Sequence, residues 1–381
     1  MKKIFFLLTL MIISITYVKA ESVIDIKAKS AILIEPITGK VIFEKNADEQ
    51  LKPASMTKIM SLILIMEQID SNKMNLDDEV LISKEASSMG GSQVYIKEGE
   101  TYKVEELLKG VAIASANDAV VALGEKVAGT KDNFVNMMNR KKDELGLMNT
   151  NFVNPHGLDD ENHYSSARDM ALMARELIKH KKILDYTKRY EDYFKKKDGS
   201  SIWLVNTNKL VKFYEGMDGL KTGYTSSAGY CLTATAVRNN FRLISVVMGE
   251  DSIENRTEDT LKLLNYGFNT MKVEEIISKN KPISSTKIRL SDKNKYDLYL
   301  NEDVIRLYEI NGGKLNYTYK LELNKNIKAP LKKGQNVGKV KIYINDGSIL
   351  TKDVIVNENV RKISFIKLMM KNINKITSGI K

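Results

Sequence analysis

The chain has 381 residues, 43% hydrophobic and 28% charged, a balance that fits packed globular domains and excludes a disordered chain. Its net charge of +11 at pH 7 is spread along the sequence, apart from short runs such as Lys195-Lys196-Lys197. No zinc-knuckle, homeodomain or RNP-type motif accompanies that charge, so nucleic acid is set aside and an anionic membrane or wall is the expected basic-chain partner.

Lys2 and Lys3 precede an apolar run from Ile4 to Ile15, and Val18-Lys19-Ala20 supplies small residues at a cleavage position. Charged start, short apolar core and small exit predict an export signal over 1–20, too short to serve as a membrane span. Two short β-favouring runs, Ala31 to Glu35 and Lys40 to Glu44, flank Pro36-Ile37-Thr38-Gly39 and predict a hairpin. Met56 to Ile69 is apolar on nearly every side, the pattern of a helix buried in a core. Helical patterns dominate from Val104 to about Leu177, interrupted at Ser115-Ala116-Asn117 and at Asn154-Pro155-His156-Gly157. Strands are expected over Tyr230 to Val237 and Phe241 to Met248 around Arg238-Asn239-Asn240, with a closing helix from Thr257 to Met271.

Composition shifts near Lys279 to Pro282. Beyond it, Thr286 to Leu290, Lys295 to Leu300, Tyr317 to Leu323, Val337 to Ile344 and Leu350 to Val356 alternate as strands, predicting a small all-β domain over 283–357. The tail over 360–381 differs again. Ile366, Met369, Met370, Ile373, Ile376 and Ile380 recur at helical spacing, with Lys367, Lys371 and Lys375 on a neighbouring face. It lacks the long uncharged run of a spanning helix and has the stripe and cationic face of one lying in a membrane interface.

Cys231, the single cysteine, cannot form an internal disulfide and falls in an apolar run where a buried thiol is expected. His156, His163 and His180 have neither H-x-x-x-H spacing nor a cysteine partner, so no metal site is expected, and no cofactor is implied.

Three short motifs stand out. Ser55-Met56-Thr57-Lys58 opens the buried helix. Residues three apart share a helix face, so Lys58 can reach Ser55, and burial among apolar neighbours favours the neutral amine that could take the serine proton. Ser115-Ala116-Asn117 sits in a break between helices, and Lys221-Thr222-Gly223 precedes the paired strands. Lys221 and Thr222 suit binding of a carboxylate, and Gly223 permits close backbone approach. Each alone is as readily a helix cap or a basic turn. In this order they form the S-x-x-K, S-x-N and K-T-G set of the β-lactamases and penicillin-binding proteins.

With its flanks, the sequence resembles the D-alanyl-D-alanine carboxypeptidases, the low-molecular-weight penicillin-binding proteins, over nearly its full length after the leader. Lys52 to Lys58, Ala114 to Ala119, Asp218 to Thr225 with Ala228 to Cys231, Asn154 to Leu158 and Ala329 to Gln335 all look like family segments. Tyr224 stands where some members carry histidine. The resemblance implies an α+β transpeptidase fold over 21–275, an antiparallel sheet with helices and a helical subdomain, followed by the β domain. It implies a substrate too: peptidoglycan stem peptides ending in D-Ala-D-Ala, with β-lactams as acylating ligands. Ser55 would attack, Lys58 would act as base, and Ser115 with Lys221 would relay a proton to the leaving amine. Asn117 would hold the substrate amide, Lys221 and Thr222 the terminal carboxylate, and the N–H groups of Ser55 and Tyr224 the oxyanion, with Gly223 letting the substrate backbone approach.

Alternatives keep parts of this pattern. A class A β-lactamase needs a glutamate-directed water, yet no E-x-x-L-N segment lies between Asn117 and Lys221. A DD-endopeptidase shares every motif. An inactive wall-binding protein could keep the fold, but intact Ser55, Lys58 and Lys221 argue against it. A Ser-His-Asp hydrolase using His156 lacks a G-x-S-x-G elbow.

Overall fold

The structure is a computed structural model, and it describes residues 24–310, 315–345 and 347–378. The export signal expected over 1–20 lies outside the described residues.

A five-stranded antiparallel sheet organises the first part, in the order Val41–Lys45, Ser30–Ile34, Phe241–Glu250, Gly229–Arg238, Met217–Thr225. The expected first hairpin forms with its turn held by Glu35, whose carboxylate accepts the Ile37 and Thr38 N–H groups at 2.6 and 2.7 Å. The second hairpin pairs Arg238 with Phe241 across Asn239 and Asn240, both at positive φ (49° and 61°). Asparagine tolerates that left-handed backbone, and a two-residue turn of this kind matches the twist of the flanking strands.

Alternation along the strands divides the interior in two. Ile32, Ile34, Ile244, Val246 and Met248 face one layer, with the helix Lys58–Asp70 and the helices around it. Ala31, Leu33, Leu243 and Val247 face the other, against Leu263 and Leu264 of the helix Ile253–Thr270. Covering on both faces explains why these strands read as apolar runs rather than half-polar ones. The closing helix begins earlier than its apolar pattern indicates because Ser252 caps it, its side chain accepting the Asn255 N–H.

A separate apolar cluster, including Tyr296, Leu298, Val340, Ile342, Val354 and Val356, fills the C-terminal β region. Its sheet has the order Ser284–Thr286, Tyr296–Leu300, Ile349–Val356, Asn336–Ile344, Tyr317–Leu323. Met271–Ile277 leaves the long helix directly and pairs with Val304–Glu309. The strand expected over Thr286 to Leu290 stops at Thr286. Leu290 has φ of 58°, and the Ser291 hydroxyl donates to the Ile288 carbonyl at 2.7 Å, so this stretch bends inward to bury Ile288. Phe365–Ser378 forms the terminal helix, with Phe365, Ile366, Met369, Met370 and Ile373 exposed. Among the described residues no helix is long and apolar enough to cross a membrane.

Candidate active site

Ser55 lies in a one-turn 3₁₀ helix, Ala54–Thr57, that runs into the buried helix at Lys58. Two other segments close on that turn. A Cβ on Gly157 (φ +89°) would sit 1.9 Å from the Ala54 carbonyl oxygen, and one on Gly223 would sit 2.7 Å from that of Pro53. Both positions therefore require glycine, because neighbouring backbone occupies the side-chain space. The close neighbours that Gly223 accommodates are the Pro53 carbonyl oxygen and the Ala54 side chain, a tighter constraint than the substrate approach expected of it.

Lys58 is fully buried, and its Nζ has three neighbours. It lies 2.9 Å from Ser55 Oγ, 2.6 Å from Asn117 Oδ1 and 2.9 Å from the His156 carbonyl oxygen. Burial, reinforced by the nearby Lys221 charge, holds its pKa well below that of an ordinary lysine; Asp118 opposes this in part. A neutral amine has two N–H donors and one lone pair. In that form the two carbonyl-type acceptors engage both donors, and the lone pair is left for the Ser55 hydroxyl.

Asn117 is oriented from both ends, since its Nδ2 donates to the Gly90 carbonyl at 2.7 Å. Asp118 fixes that wall by accepting the Val94 N–H at 3.1 Å and the Ala119 N–H at 2.8 Å. Ser115 ends one helix in a left-handed conformation (φ 66°) before the next begins at Asn117. Its Oγ is buried without a hydrogen-bond partner and lines the cleft. No protein group pairs that hydroxyl, so it faces the cleft with its hydrogen-bonding capacity free.

Lys221 comes from the edge strand Met217–Thr225 and is also buried. Burial, with help from the Arg256 charge, lowers its pKa to about 7. Its Nζ donates to the Thr222 carbonyl at 3.2 Å, and it is not hydrogen-bonded to Ser115, whose Oγ has no partner. Tyr224 lies at the mouth of the cleft, 56% exposed and stacked on Tyr230 with ring centroids 4.3 Å apart.

Ser55, Ser115, Thr222, Gly223 and Tyr224 thus line one cleft of about 440 Å³, with Lys58 and Asn117 hydrogen-bonded behind Ser55. Arg256, which sequence reasoning missed, lines it too; it is mostly buried, and its Nε has no partner. Among the described residues that line the cavity, it and Lys209 are the cations, and burial lowers the pKa of Arg256. Sequence spacing gives no sign of it, because the helix Ile253–Thr270 reaches the cleft only through tertiary packing.

The histidines take no position beside Ser55. The His156 ring accepts the Leu158 N–H through Nδ1 at 3.2 Å, while its backbone carbonyl serves Lys58. His163 Nε2 is 2.7 Å from Thr57 Oγ1. Burial lowers their pKa values to about 3 and about 4, so both rings are neutral at pH 7. The Cys231 thiol is buried and pushed up to about 11, an unreactive state. Among the described residues no group of three His, Cys, Asp or Glu side chains is placed to hold a metal.

Residues 17–252 match the family model described as D-alanyl-D-alanine carboxypeptidase. The chain belongs to the D-alanyl-D-alanine carboxypeptidase family. Residues 272–362 match the C-terminal domain of penicillin-binding protein 5. The carboxypeptidase DacF of Bacillus subtilis is 43% identical over 92% of this chain and 90% of its own length. Among solved structures, penicillin-binding protein 5 from Haemophilus influenzae has a TM-score of 0.73 at 33% identity, covering 89% of this chain and 98% of that one. Penicillin-binding protein D2 from Listeria monocytogenes in its ampicillin-bound form has a TM-score of 0.58 at 32% identity, covering 64% of this chain and 98% of that one. Its fold is that of the penicillin-binding proteins, an α+β unit with an all-β C-terminal region.

Proposed function

We propose that this member of the carboxypeptidase family acts outside the cytoplasmic membrane, removing the terminal D-alanine from peptidoglycan stem pentapeptides through an ester on Ser55. The observation that carries the reading is the Lys58 amine, its pKa driven well down by burial, tied to two carbonyl oxygens and 2.9 Å from Ser55 Oγ.

In this scheme Ser55 Oγ bonds to the carbonyl carbon of the penultimate D-alanine while its proton passes to Lys58 Nζ. Backbone N–H groups of Ser55 and Tyr224 stabilise the oxyanion. The C–N bond then breaks, and the departing D-alanine amine takes a proton through Ser115, whose unpartnered hydroxyl gains its hydrogen bonds once substrate fills the cleft. Lys221 supports that transfer. With Thr222 it also receives the terminal carboxylate, and the anion draws Lys221, otherwise poised near neutrality at about 7, into its charged form. Gly223 keeps this strand against the Ser55 turn, and Asn117 is placed to hold the substrate amide. Water hydrolyses the ester and releases the shortened peptide. A β-lactam enters the first half of the same sequence, its ring carbonyl in place of the D-alanine carbonyl.

The organisation proposed around this chemistry is an export signal over 1–20, a catalytic domain over 21–275, a β domain over 283–357 and a membrane-lying helix over 360–381. Support for the helix comes from the apolar side chains Phe365, Ile366, Met369 and Met370, exposed on one segment that also carries Lys367.

The test is D-alanine release from a diacyl-D-Ala-D-Ala peptide. Wild-type protein is expected to release it, and Ser55→Ala to fall to background. Equal release by both would move the nucleophile elsewhere.

A further inference from the structure

The hairpin formed by Glu191–Lys195 and Ser201–Val205 has two unlike faces. Phe194 and Leu204 are buried beneath it. Tyr193 and Trp203 lie directly opposite each other on the outer face, 57% and 58% exposed. Trp203 is the only tryptophan in the chain. Tryptophan and tyrosine contribute most when covered, so an exposed cross-strand pair marks a surface built to be covered by a ligand. The indole is held in place, its Nε1 donating to Glu191 Oε2 at 3.1 Å.

This face continues into the cleft. Strand alternation places Val205 on the same side as Trp203, and Val205 lines the cavity that contains Ser55 and Ser115. From Val205 to Trp203 the strand runs about 7 Å, so the pair stands just beyond the cleft rim. The four residues between a stem peptide's sugar attachment and its scissile carbonyl span about 13–14 Å when extended. An extended stem peptide is therefore long enough to pass Val205 and bring its carbohydrate end over the pair.

Its chemistry suits a sugar better than a peptide side chain. Two flat rings supply a surface for the C–H face of a pyranose. Glu191, Ser201 and Lys195 edge it with groups that can bond hydroxyl and acetamido substituents. We propose that the Trp203–Tyr193 face is a saccharide subsite that stacks an amino-sugar ring of the glycan to which the stem peptide is attached. The proposal rests on the carboxypeptidase reading, since it is a glycan-linked peptide in the cleft that brings a sugar to this rim.

The experiment compares D-alanine release from an N-acetylmuramoyl pentapeptide and from the free pentapeptide of the same sequence. Wild-type kcat/KM should favour the sugar-bearing substrate by about 3–10-fold, the range of one aromatic stacking contact. Trp203→Ala should abolish that preference and leave the free-peptide value unchanged within about twofold. A second arm needs no turnover: in Ser55→Ala, which retains Trp203, the tryptophan emission should shift with the muramoyl peptide and stay unchanged with the free peptide. Equal wild-type kcat/KM for the two substrates, equal losses on both in Trp203→Ala, or an emission unmoved by the sugar would overturn the proposal. Absence of release from either substrate would instead remove the carboxypeptidase reading, and the emission arm would still decide whether the face takes a sugar.

Discussion

Lys58 is where function opposes stability within a single side chain. A buried amine with a depressed pKa binds its proton less tightly in the folded chain than in the unfolded one, whose lysine titrates near the ordinary 10.5. As pH falls below that unfolded value, the unfolded state gains protons and the native state loses stability. Methionine at this position has similar length and no proton to lose. We therefore expect the melting temperature of Lys58→Met, relative to wild type, to rise as pH is lowered from 10 to 7, and acylation to fall about 10²–10⁴-fold. Calorimetry at the two pH values checks the first expectation and stopped penicillin labelling the second. A melting difference that does not change with pH would mean that Lys58 is charged in the folded protein. Ser115 makes a complementary point: no protein group pairs its hydroxyl, which leaves that oxygen available to whatever enters the cleft.

At the scale of elements, legibility in the sequence followed the strength of local pattern. Apolar runs with turn residues between them marked the strands Ser30–Ile34, Gly229–Arg238 and Phe241–Glu250, because burial on both faces leaves almost no polar interruption. The Glu191–Lys195 and Ser201–Val205 hairpin escaped notice, as only Phe194 and Leu204 are fully buried and charged residues surround them. Within the site, Ser55 and Lys58 could be joined by helix spacing, and the ordered motifs brought in Ser115, Asn117 and Lys221. The His156 carbonyl and Arg256 could not be found that way. One is backbone, and the other enters on a helix whose own pattern concerns packing against the sheet. The terminal helix carries its prediction in its composition. Val360 itself is buried in the β-domain core and hydrogen-bonded to Leu331, so the cut belongs at the helix: deleting residues from Phe365 onward should release the protein from anionic vesicles and leave peptide turnover in solution unchanged. High salt should weaken binding of the intact chain only in part, since apolar burial is not screened as charge attraction is. Equal sedimentation of truncated and intact protein with vesicles would rule out the anchor.

Across the whole molecule, the site is a product of convergence. The 3₁₀ turn with Ser55, the helix junction at Ser115 to Asn117, the Asn154 to Gly157 segment and the sheet-edge strand with Lys221 come from separate parts of the chain. Each is held by contacts to another: Lys58 to His156 and Asn117, Gly157 to Ala54, Gly223 to Pro53. Such an arrangement leaves little room for Ser55 to move before substrate arrives, which is what nucleophilic attack by a weakly acidic hydroxyl requires. The central claim is that this serine, and no other, becomes acylated. It is tested most directly by mass spectrometry of the wild-type protein after incubation with benzylpenicillin, followed by peptide mapping. Opening a β-lactam ring loses no atoms, so the account predicts a gain of one whole antibiotic molecule on the peptide containing Ser55. An unmodified protein, or an adduct mapped to any other residue, would contradict it.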